Sequence, residues 1–195
     1  LNRNPERCKE SLNIIESEVA RLNRLVSDLL LLARADSGET LVGQPVELDT
    51  LLLDVFRQGH ILLRASKQPI RLRLGHEDQA TILGDPDRLK QLFFNLVDNA
   101  IKYSNDGGCV EMELSETTTH ITIAVRDNGI GVSEEDIVNL DRRFYRADRS
   151  RTSKGNGLGL SLVSAIIKLH NGQLWFVHDP LMQGHGLGVV CSLRK

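Results

Sequence analysis

The stretch Asn95-Leu96-Val97-Asp98-Asn99-Ala100-Ile101-Lys102-Tyr103-Ser104 decides how the rest of this sequence is interpreted. It continues a predicted helix that begins at Pro86, a residue favoured in the first helical turn. Asn95, Asn99 and Lys102 are spaced by four and three, which places them on one face. Two amides and an ammonium on one face are able to hold a metal ion and a phosphate chain, because Mg²⁺ prefers hard oxygen ligands and shares its sites with phosphates. A solvated polar face would show the same spacing, so the helix alone leaves both interpretations open.

Further along the chain, Asp127-Asn128-Gly129-Ile130-Gly131 follows a segment whose apolar and polar residues alternate as in a strand. A carboxylate at a strand end can accept from an exocyclic amine, and glycines allow backbone to approach a flat ligand closely. An ordinary turn also favours aspartate and glycine. The motif therefore indicates a nucleotide base site only in combination with other motifs.

A third motif, Gly155-Asn156-Gly157-Leu158-Gly159-Leu160, opens an amphipathic helix. Backbone N–H groups at a helix N-terminus bind anions, and glycines let a phosphate come close. The preceding basic segment, residues 142–154, contains Arg146 and two aromatic residues. It is interpreted either as an exposed charged loop or as a lid over a triphosphate.

The first forty residues predict one long helix. Its apolar positions alternate by three and four along Leu12, Ile15, Val19, Leu22, Val26, Leu29 and Ala33, which is a heptad seam. Leu25, Leu30 and Leu32 widen this seam into a stripe suited to a helix bundle. One helix cannot bury such a stripe alone, so a partner helix is expected from upstream sequence, a second subunit, or both.

The remaining pattern groups helices with mostly antiparallel strands, which predicts an α+β two-layer sandwich with a mixed sheet. A net charge of −2 gives no indication of nucleic-acid binding. The three cysteines, Cys8, Cys109 and Cys191, lie far apart and form neither a disulfide framework nor a zinc motif. No apolar stretch approaches the length of about 18 residues that a membrane span needs.

Taken in order, these motifs closely resemble the catalytic domain of sensor histidine kinases. The stretches that carry the resemblance are residues 85–89 (DPDRL), 95–104 (NLVDNAIKYS), 127–131 (DNGIG), 142–148 (RRFYRAD) and 155–163 (GNGLGLSLV), and residues 21–30 (RLNRLVSDLL) resemble the family's second dimerisation helix. The resemblance implies the Bergerat ATP-binding sandwich, shared with DNA gyrase, mismatch-repair ATPases and a heat-shock chaperone. It divides the chain into residues 1–40, part of a dimerisation domain, and residues 41–195, the ATP-binding domain.

The resemblance also implies roles for individual residues. Asn99 corresponds to the Mg²⁺ ligand with Asn95 assisting, Lys102 contacts phosphate, and Tyr103 flanks the nucleotide. Asp127 accepts the adenine amino group, which favours ATP over GTP because guanine would oppose one acceptor with another. The other expected nucleotide contacts are Gly129, Gly131, Arg146, Gly155, Gly157, Leu158, Gly159 and Leu160.

Two departures from the family pattern stand out. Asp141 occupies the place of the first aromatic residue that anchors the lid, so Phe144 and Tyr145 are expected to anchor it alone. No histidine followed by an acidic residue lies on a helix: His76 precedes Glu77 in a predicted turn, and His178 precedes Asp179 near a strand end. The phosphate-accepting histidine is therefore expected upstream of Leu1.

The function implied is transfer of the ATP γ-phosphoryl group to that histidine, for relay to the aspartate of a response regulator receiver domain. A homodimer through residues 12–33 and a cytoplasmic location are expected, with any membrane contact made by upstream sequence. One alternative is a nucleotide hydrolase of the same fold, in which a glutamate occupies the position of Asn95. The other is a nucleotide-sensing dimerisation module without catalysis.

Overall fold

The computed structural model describes residues 5–38, 43–66, 68–147 and 156–195. Its helices are α1 (Pro5–Asp36), α2 (Leu48–Ser66), α3 (Pro86–Tyr103), α4 (Glu134–Ile137) and α5 (Gly159–Leu169). Its strands are β1 (Gln44–Glu47), β2 (Arg71–Glu77), β3 (Thr81–Gly84), β4 (Cys109–Glu116), β5 (His120–Asp127), β6 (Gln173–His178) and β7 (Leu187–Arg194). The α+β class and the long first helix are as predicted.

Five strands form the main sheet in the order β2-β4-β5-β7-β6, and β1 pairs with β3 in a separate ribbon. β2 and β4 are parallel, while the other neighbours in the main sheet are antiparallel. The mixed sheet of the prediction is therefore confirmed. His76, expected in a turn, lies in β2 instead, because the strand continues past its alternating segment through a register shift between Leu74 and Glu77.

Helices α2, α3 and α5 lie with the sheet around one apolar core that contains Phe93, Leu96, Met112 and Ile166. α3 begins cleanly because the Asp85 side chain accepts hydrogen bonds from the backbone N–H groups of Asp87 and Arg88 and Pro86 fits the first turn. Its buried face is made by Leu89, Leu92, Phe93, Leu96, Val97, Ala100 and Ile101. This amphipathic packing leaves the opposite, polar face of α3 directed away from the core.

His170 fastens the end of α5 to the start of α3. Its Nε2 accepts a hydrogen bond of 3.1 Å from the Asp85 backbone N–H, and its Nδ1 lies 2.7 Å from the Ile166 carbonyl oxygen. The imidazole is thus neutral with the proton on Nδ1, and burial lowers the pKa of His170. The two helices that carry most of the predicted site are thereby held together at one end.

Helix α1 packs against the rest of the molecule with one side only. Leu31 and Leu32 are buried, and Asp28 accepts a hydrogen bond of 2.8 Å from the Gln91 side-chain amide on α3. Arg143 donates to Asp36 and to the Leu32 carbonyl oxygen. α1 is therefore docked on the rest of the chain through its C-terminal half.

The predicted seam lies on a different side of α1. Val19, Leu22 and Val26 are 50–58% exposed, and they are about 120° around the helix from Leu25, Asp28 and Leu32. Of the three residues expected to widen the seam, Leu32 is buried and Leu25 is half-buried against the core, while Leu30 is 60% exposed. The apolar stripe is consequently two surfaces, one docked on this chain and one facing solvent.

Candidate nucleotide-binding site

A cleft of about 1180 Å³ lies between the polar face of α3, the N-terminus of α5, the end of β5 and one side of α1. The predicted site residues among those that line it are Asn95, Asn99, Lys102, Tyr103, Asp127, Gly131, Arg146, Gly157, Leu158, Gly159 and Leu160. Gly155 lies outside the described residues. The structure therefore brings motifs that are separated by about 60 positions in the sequence to a single concave surface, as expected of a ligand site.

On α3, the side chain of Asn95 points its amide into a buried position. The Asn95 Nδ2 atom is buried and has no hydrogen-bond partner among the residues that the structure describes. Buried polar atoms are nearly always paired in native proteins, and an exception calls for an explanation such as a catalytic role, an ordered water or a bound ion. The amide orientation of an asparagine follows from its partners, so Asn95 presents either its N–H₂ or its oxygen to a ligand or a ligand-bound water.

Lys102 is positioned by its neighbour in the chain. Its ammonium donates a hydrogen bond of 3.1 Å to the Tyr103 hydroxyl and lies 4.8 Å from the centre of the Tyr103 ring. Asp98 also lines the cleft, and burial raises the pKa of its carboxyl, an effect that the Lys102 charge opposes. The C-terminal turn of α3 thus presents the Lys102 ammonium, held in place by Tyr103, beside Asn95 and Asn99.

Asp127 ends β5 and is 6% exposed. Its Oδ1 accepts hydrogen bonds from the backbone N–H of Gly129 at 2.8 Å and of Leu187 at 3.3 Å. Burial raises the pKa of Asp127 to about 6, against the effects of those two N–H groups and of the His185 charge. Both hydrogen bonds end on Oδ1, so Oδ2 is available to accept from a ligand amine in the cleft.

Close backbone contacts surround this carboxylate. A Cβ at residue 129 would lie 2.1 Å from the Tyr103 carbonyl oxygen, and one at residue 186 would lie 2.0 Å from the Asp127 carbonyl oxygen. Gly186 also has a φ of +117°, which L residues rarely adopt. Gly129 is therefore required by the contact between β5 and α3, whereas Gly131 lies on the cleft surface itself.

The N-terminus of α5 forms the opposite wall. Leu158 is buried and Leu160 half-buried. Gly157 has a φ of +68°, and a Cβ there would lie 2.8 Å from the backbone of Phe144. A Cβ at residue 159 would lie 3.1 Å from Asn99 Nδ2. Because both residues are glycines, the N-terminus of α5 is able to lie close to the segment that precedes it and to Asn99, the predicted metal ligand.

Residues 141–147 lie beside the cleft, and their contacts correct the prediction that Phe144 and Tyr145 alone anchor this segment. The Tyr145 hydroxyl donates to Asp136, and Asp141 accepts a hydrogen bond of 3.2 Å from Ser164 on α5. Phe144, however, is 64% exposed with a φ of +60°. The side chains of Tyr145 and Asp141 therefore anchor this segment, whereas Phe144 contributes only its backbone N–H, which donates to the Gly157 carbonyl oxygen at 3.0 Å.

Sequence reasoning missed several residues of the cleft. Its apolar walls include Phe94, Val125, Ile130, Val132, Leu140, Leu187 and Val189. One side is made by Glu18, Arg21, Arg24, Leu25 and Asp28 of α1. The spacing of these α1 residues by three and four was a signal for one helix face, but the sequence did not show that the face meets the cleft.

Comparison with known proteins agrees with this geometry. Residues 84–195 match the model of the histidine kinase-, DNA gyrase B- and HSP90-like ATPase family. The signal transduction histidine-protein kinase BaeS of Escherichia coli K12 is 33% identical over 173 residues, covering 88% of this chain and 37% of that protein. The probable sensor histidine kinase TcrY of Mycobacterium tuberculosis is 36% identical over 178 residues, covering 90% of this chain and 37% of that protein. The solved structure of full-length ShkA in complex with AMPPNP superposes with a TM-score of 0.74 at 25% identity, covering 95% of this chain and 38% of that one.

The chain belongs to the histidine kinase-, DNA gyrase B- and HSP90-like ATPase family. The named relatives reported above are sensor histidine kinases, and the ATP-binding sandwich inferred from the motifs is confirmed as the fold. The chain spans 30–45% of the length of the curated relatives it matches. Among the described residues, no helix is both long enough and apolar enough to cross a bilayer.

Proposed function

We propose that this chain is the ATP-binding catalytic part of a sensor histidine kinase, with residues 1–40 from the dimerisation domain and residues 41–195 forming the catalytic domain. The observation that carries the proposal is the cleft itself, where the Asn95, Asn99 and Lys102 face of α3 meets both Asp127 and the N-terminus of α5. One cleft thus combines an acceptor for the adenine amine with cationic and backbone N–H groups for phosphates, which is the polarity that ATP requires.

Each end of the cleft has its own task in this proposal. Asp127 Oδ2 accepts from the adenine amine, while Tyr103, Gly131 and the apolar walls contact the rest of the base, with Gly129 behind them. Lys102, Arg146 and the N–H groups of residues 157–160 hold the phosphates, and Gly155 extends that set. Such positioning and charge neutralisation are the main contributions of a protein to phosphoryl transfer.

Asn99, with Asn95 beside it, would hold Mg²⁺. The fit rests on two observations, the unpartnered Asn95 amide and the close approach of the helix start at Gly159 to Asn99. An amide oxygen is a hard ligand that leaves most positions of the ion to water and phosphate, as Mg²⁺ requires. When bound, the ion would neutralise charge on the phosphates.

The reaction is an in-line displacement at the γ-phosphorus. An imidazole nitrogen of the acceptor histidine forms the new N–P bond, the bond from phosphorus to the β,γ-bridging oxygen breaks, and ADP departs with that electron pair. The six histidines of this chain do not lie on a helix with a following acidic residue, so we place the acceptor on a helix outside it. From there the phosphoryl group passes to an aspartate of a response regulator receiver domain.

The seam of α1 belongs to the same proposal. We place the homodimer interface along residues 12–33, because Leu12, Ile15, Val19, Leu22, Val26 and Leu29 are 45–60% exposed and form a long apolar surface. We place this part of the protein in the cytoplasm, with any membrane contact made by sequence upstream of it.

The hydrolase alternative is disfavoured by Asn95. A hydrolase of this fold needs a carboxylate there to take a proton from water, and an amide does not accept a proton at neutral pH. The asparagine instead suits a site that holds ATP until another nucleophile arrives.

The test is phosphate transfer from γ-labelled ATP. The 195-residue chain alone should acquire no acid-labile label, whereas an added dimerisation domain that carries its acceptor histidine should be labelled. Asn99→Ala should abolish labelling, and substitution of the acceptor histidine should do the same. Acid-labile phosphate on this chain by itself would contradict the placement of the acceptor, and ATP binding without any transfer would favour a nucleotide-sensing module.

A further inference from the structure

The cationic groups of the cleft come from two parts of the chain. Within the described residues, four cationic side chains line it: Lys102 on α3, Arg146 before α5, and Arg21 and Arg24 on α1. Two of these four described cations therefore belong to the helix that precedes the ATP-binding domain. The cleft also contains the carboxylates of Asp98 and Asp127, and α1 itself brings Glu18 and Asp28. α1 therefore adds no net charge to the cleft, and its arginines bind an anion by exchanging their present partners.

The place where α1 meets the cleft identifies which part of a nucleotide it would contact. α1 meets α3 at Gln91, whose amide donates to Asp28, one turn before Asn95. The base end lies at Tyr103, whose carbonyl oxygen accepts from the Ile130 N–H. Gln91 and Tyr103 are separated along α3 by about 18 Å. The contact of Asp28 with Gln91 is thus at the end of α3 that is distant from Tyr103 and Asp127.

Arg21, Arg24 and Asp28 are spaced by three and four, so they point from one face of α1. Asp28 experiences the charge of Arg24, which opposes the rise in the pKa of Asp28 that burial causes. Arg24 itself lines the cleft, which places it on the docked side of the helix. Asp28 and its partner Gln91 fix the helix, and the two arginines continue along the cleft from that fixed point.

The present partners of both arginines are weak and replaceable. Arg21 pairs with Glu18 at 3.0 Å, with both side chains more than half exposed, and Arg24 Nε donates to the Ala20 carbonyl oxygen at 3.4 Å. Exposed ion pairs contribute little, whereas a guanidinium and a phosphate form strong, often bidentate hydrogen bonds. Exchange of these contacts for phosphate oxygens would be favourable.

We propose that Arg21 and Arg24 of α1 contact the terminal phosphates of the nucleotide, so that the docked dimerisation helix completes the phosphate end of the site. This inference rests on the proposed ATP site. It makes the contribution of α1 depend on the number of phosphates: large for ATP, smaller for ADP and absent for AMP. It also means that bound ATP strengthens the docking of α1.

The test is calorimetric titration of the 195-residue chain with Mg-ATP, Mg-ADP and AMP. Arg21→Gln and Arg24→Gln should each weaken ATP binding about 5-fold. This loss is larger than that expected for an exposed ion pair and smaller than that for a charged hydrogen bond. AMP affinity should not change. Arg34→Gln is the matched control, because it removes the same charge from α1 at a residue that does not line the cleft. Thermal melts should show that all variants remain folded.

Asn99→Ala separates this inference from the proposed function. If the wild-type chain binds ATP, Asn99→Ala weakens it, and the double variant Arg21→Gln/Arg24→Gln binds ATP as tightly as Arg34→Gln, the role of α1 is wrong and the ATP site stands. An equal loss for ATP, ADP and AMP would also overturn it. A wild-type chain that binds no nucleotide would overturn both.

Discussion

Gly159, the first residue of α5, lies directly against the side chain of Asn99 on α3. A Cβ at residue 159 would lie 3.1 Å from Asn99 Nδ2 and 3.5 Å from Oδ1. This is closer than a relaxed contact, so any side chain at residue 159 must displace the proposed Mg²⁺ ligand by a few tenths of an ångström. The glycine therefore matters for the direction of Asn99 as well as for the approach of phosphate.

The first prediction uses this contact. Gly159→Ala should weaken Mg-ATP binding while changing thermal stability little, because the added Cβ would meet only the end of the Asn99 side chain. Gly129→Ala is the contrasting variant, since its Cβ would lie 2.1 Å from the Tyr103 carbonyl oxygen, and it should lower the melting temperature. Titration calorimetry and thermal melts measure both quantities. Unchanged Mg-ATP affinity in Gly159→Ala would show that the contact with Asn99 is not critical.

The second prediction concerns Asp127→Asn. An amide at this position turns a donor toward the adenine amine and should cost about 1–3 kcal/mol of ATP binding. It also removes a carboxyl whose charged form is disfavoured by burial, so the melting temperature at neutral pH should rise. A variant that binds ATP as the wild type does would exclude Asp127 from base recognition.

The third prediction concerns pH. The pKa of Asp127 is raised to about 6, so the charged acceptor is present above that pH and is lost as the pH falls through it. ATP affinity should therefore decrease between pH 7.5 and 5.5. The contribution of Asp127 to folding stability has the opposite sign: it is fully present below the ordinary pKa of 3.8 and is lost as the pH rises through 6.

Because phosphates also titrate near pH 6, the measurement is the difference between wild type and Asp127→Asn at each pH. That difference in ATP affinity should shrink toward pH 5.5. A difference that is constant over this range would mean that Asp127 does not titrate there.

The fourth prediction separates a kinase from a hydrolase. With an amide at residue 95, water lacks its general base, which is typically worth ~10²–10⁴-fold in rate. Phosphate release by the purified chain with saturating Mg-ATP should therefore be far below roughly 1 per second. Asn95→Asp should not lower it, because the substitution supplies a carboxylate at the position of the missing base, and Asn99→Ala should abolish it. Sustained turnover near ordinary enzyme rates, after contaminating ATPases are removed, would favour a hydrolase.

The fifth prediction concerns the seam. The chain should form a dimer in light scattering, because residues 12–33 otherwise expose a continuous apolar surface. Leu22→Gln/Val26→Gln should shift the equilibrium toward monomer, while Ile61→Gln, which removes a 66% exposed side chain on α2, should not. A wild-type chain that is monomeric at every accessible concentration would refute the interface without affecting the nucleotide site.

Most elements of the fold could be predicted because their periodicities are unambiguous. Ile121 to Val125 alternates as a strand does, and the face of α3 that contains Leu92, Phe93 and Leu96 is separated from its polar face. Local pattern does not determine partners, however. The parallel pairing of β2 with β4 depends on how α3 crosses the sheet, and no residue of β2 indicates that pairing.

The same limit applies to the site. The asparagines and glycines are visible in sequence because each motif is local. Gly186 belongs to no motif, yet its backbone must approach the Asp127 carbonyl oxygen, a contact between positions far apart in the chain. Leu25 and Leu30 look alike in the stripe of α1, but one faces this chain and the other faces solvent, since only tertiary packing distinguishes them.

The hydrogen bond from the Leu187 N–H to Asp127 bears on when the site forms during synthesis. Leu187 begins β7, so a nascent chain that has emerged only as far as β6 lacks the second donor to this carboxylate and the contact at Gly186. The order of strands in the sheet places β7 between β5 and β6, and β5 therefore stays unpaired on that side until β7 is made. We expect nucleotide binding to appear only after β7 has been synthesised and has inserted between its two neighbours.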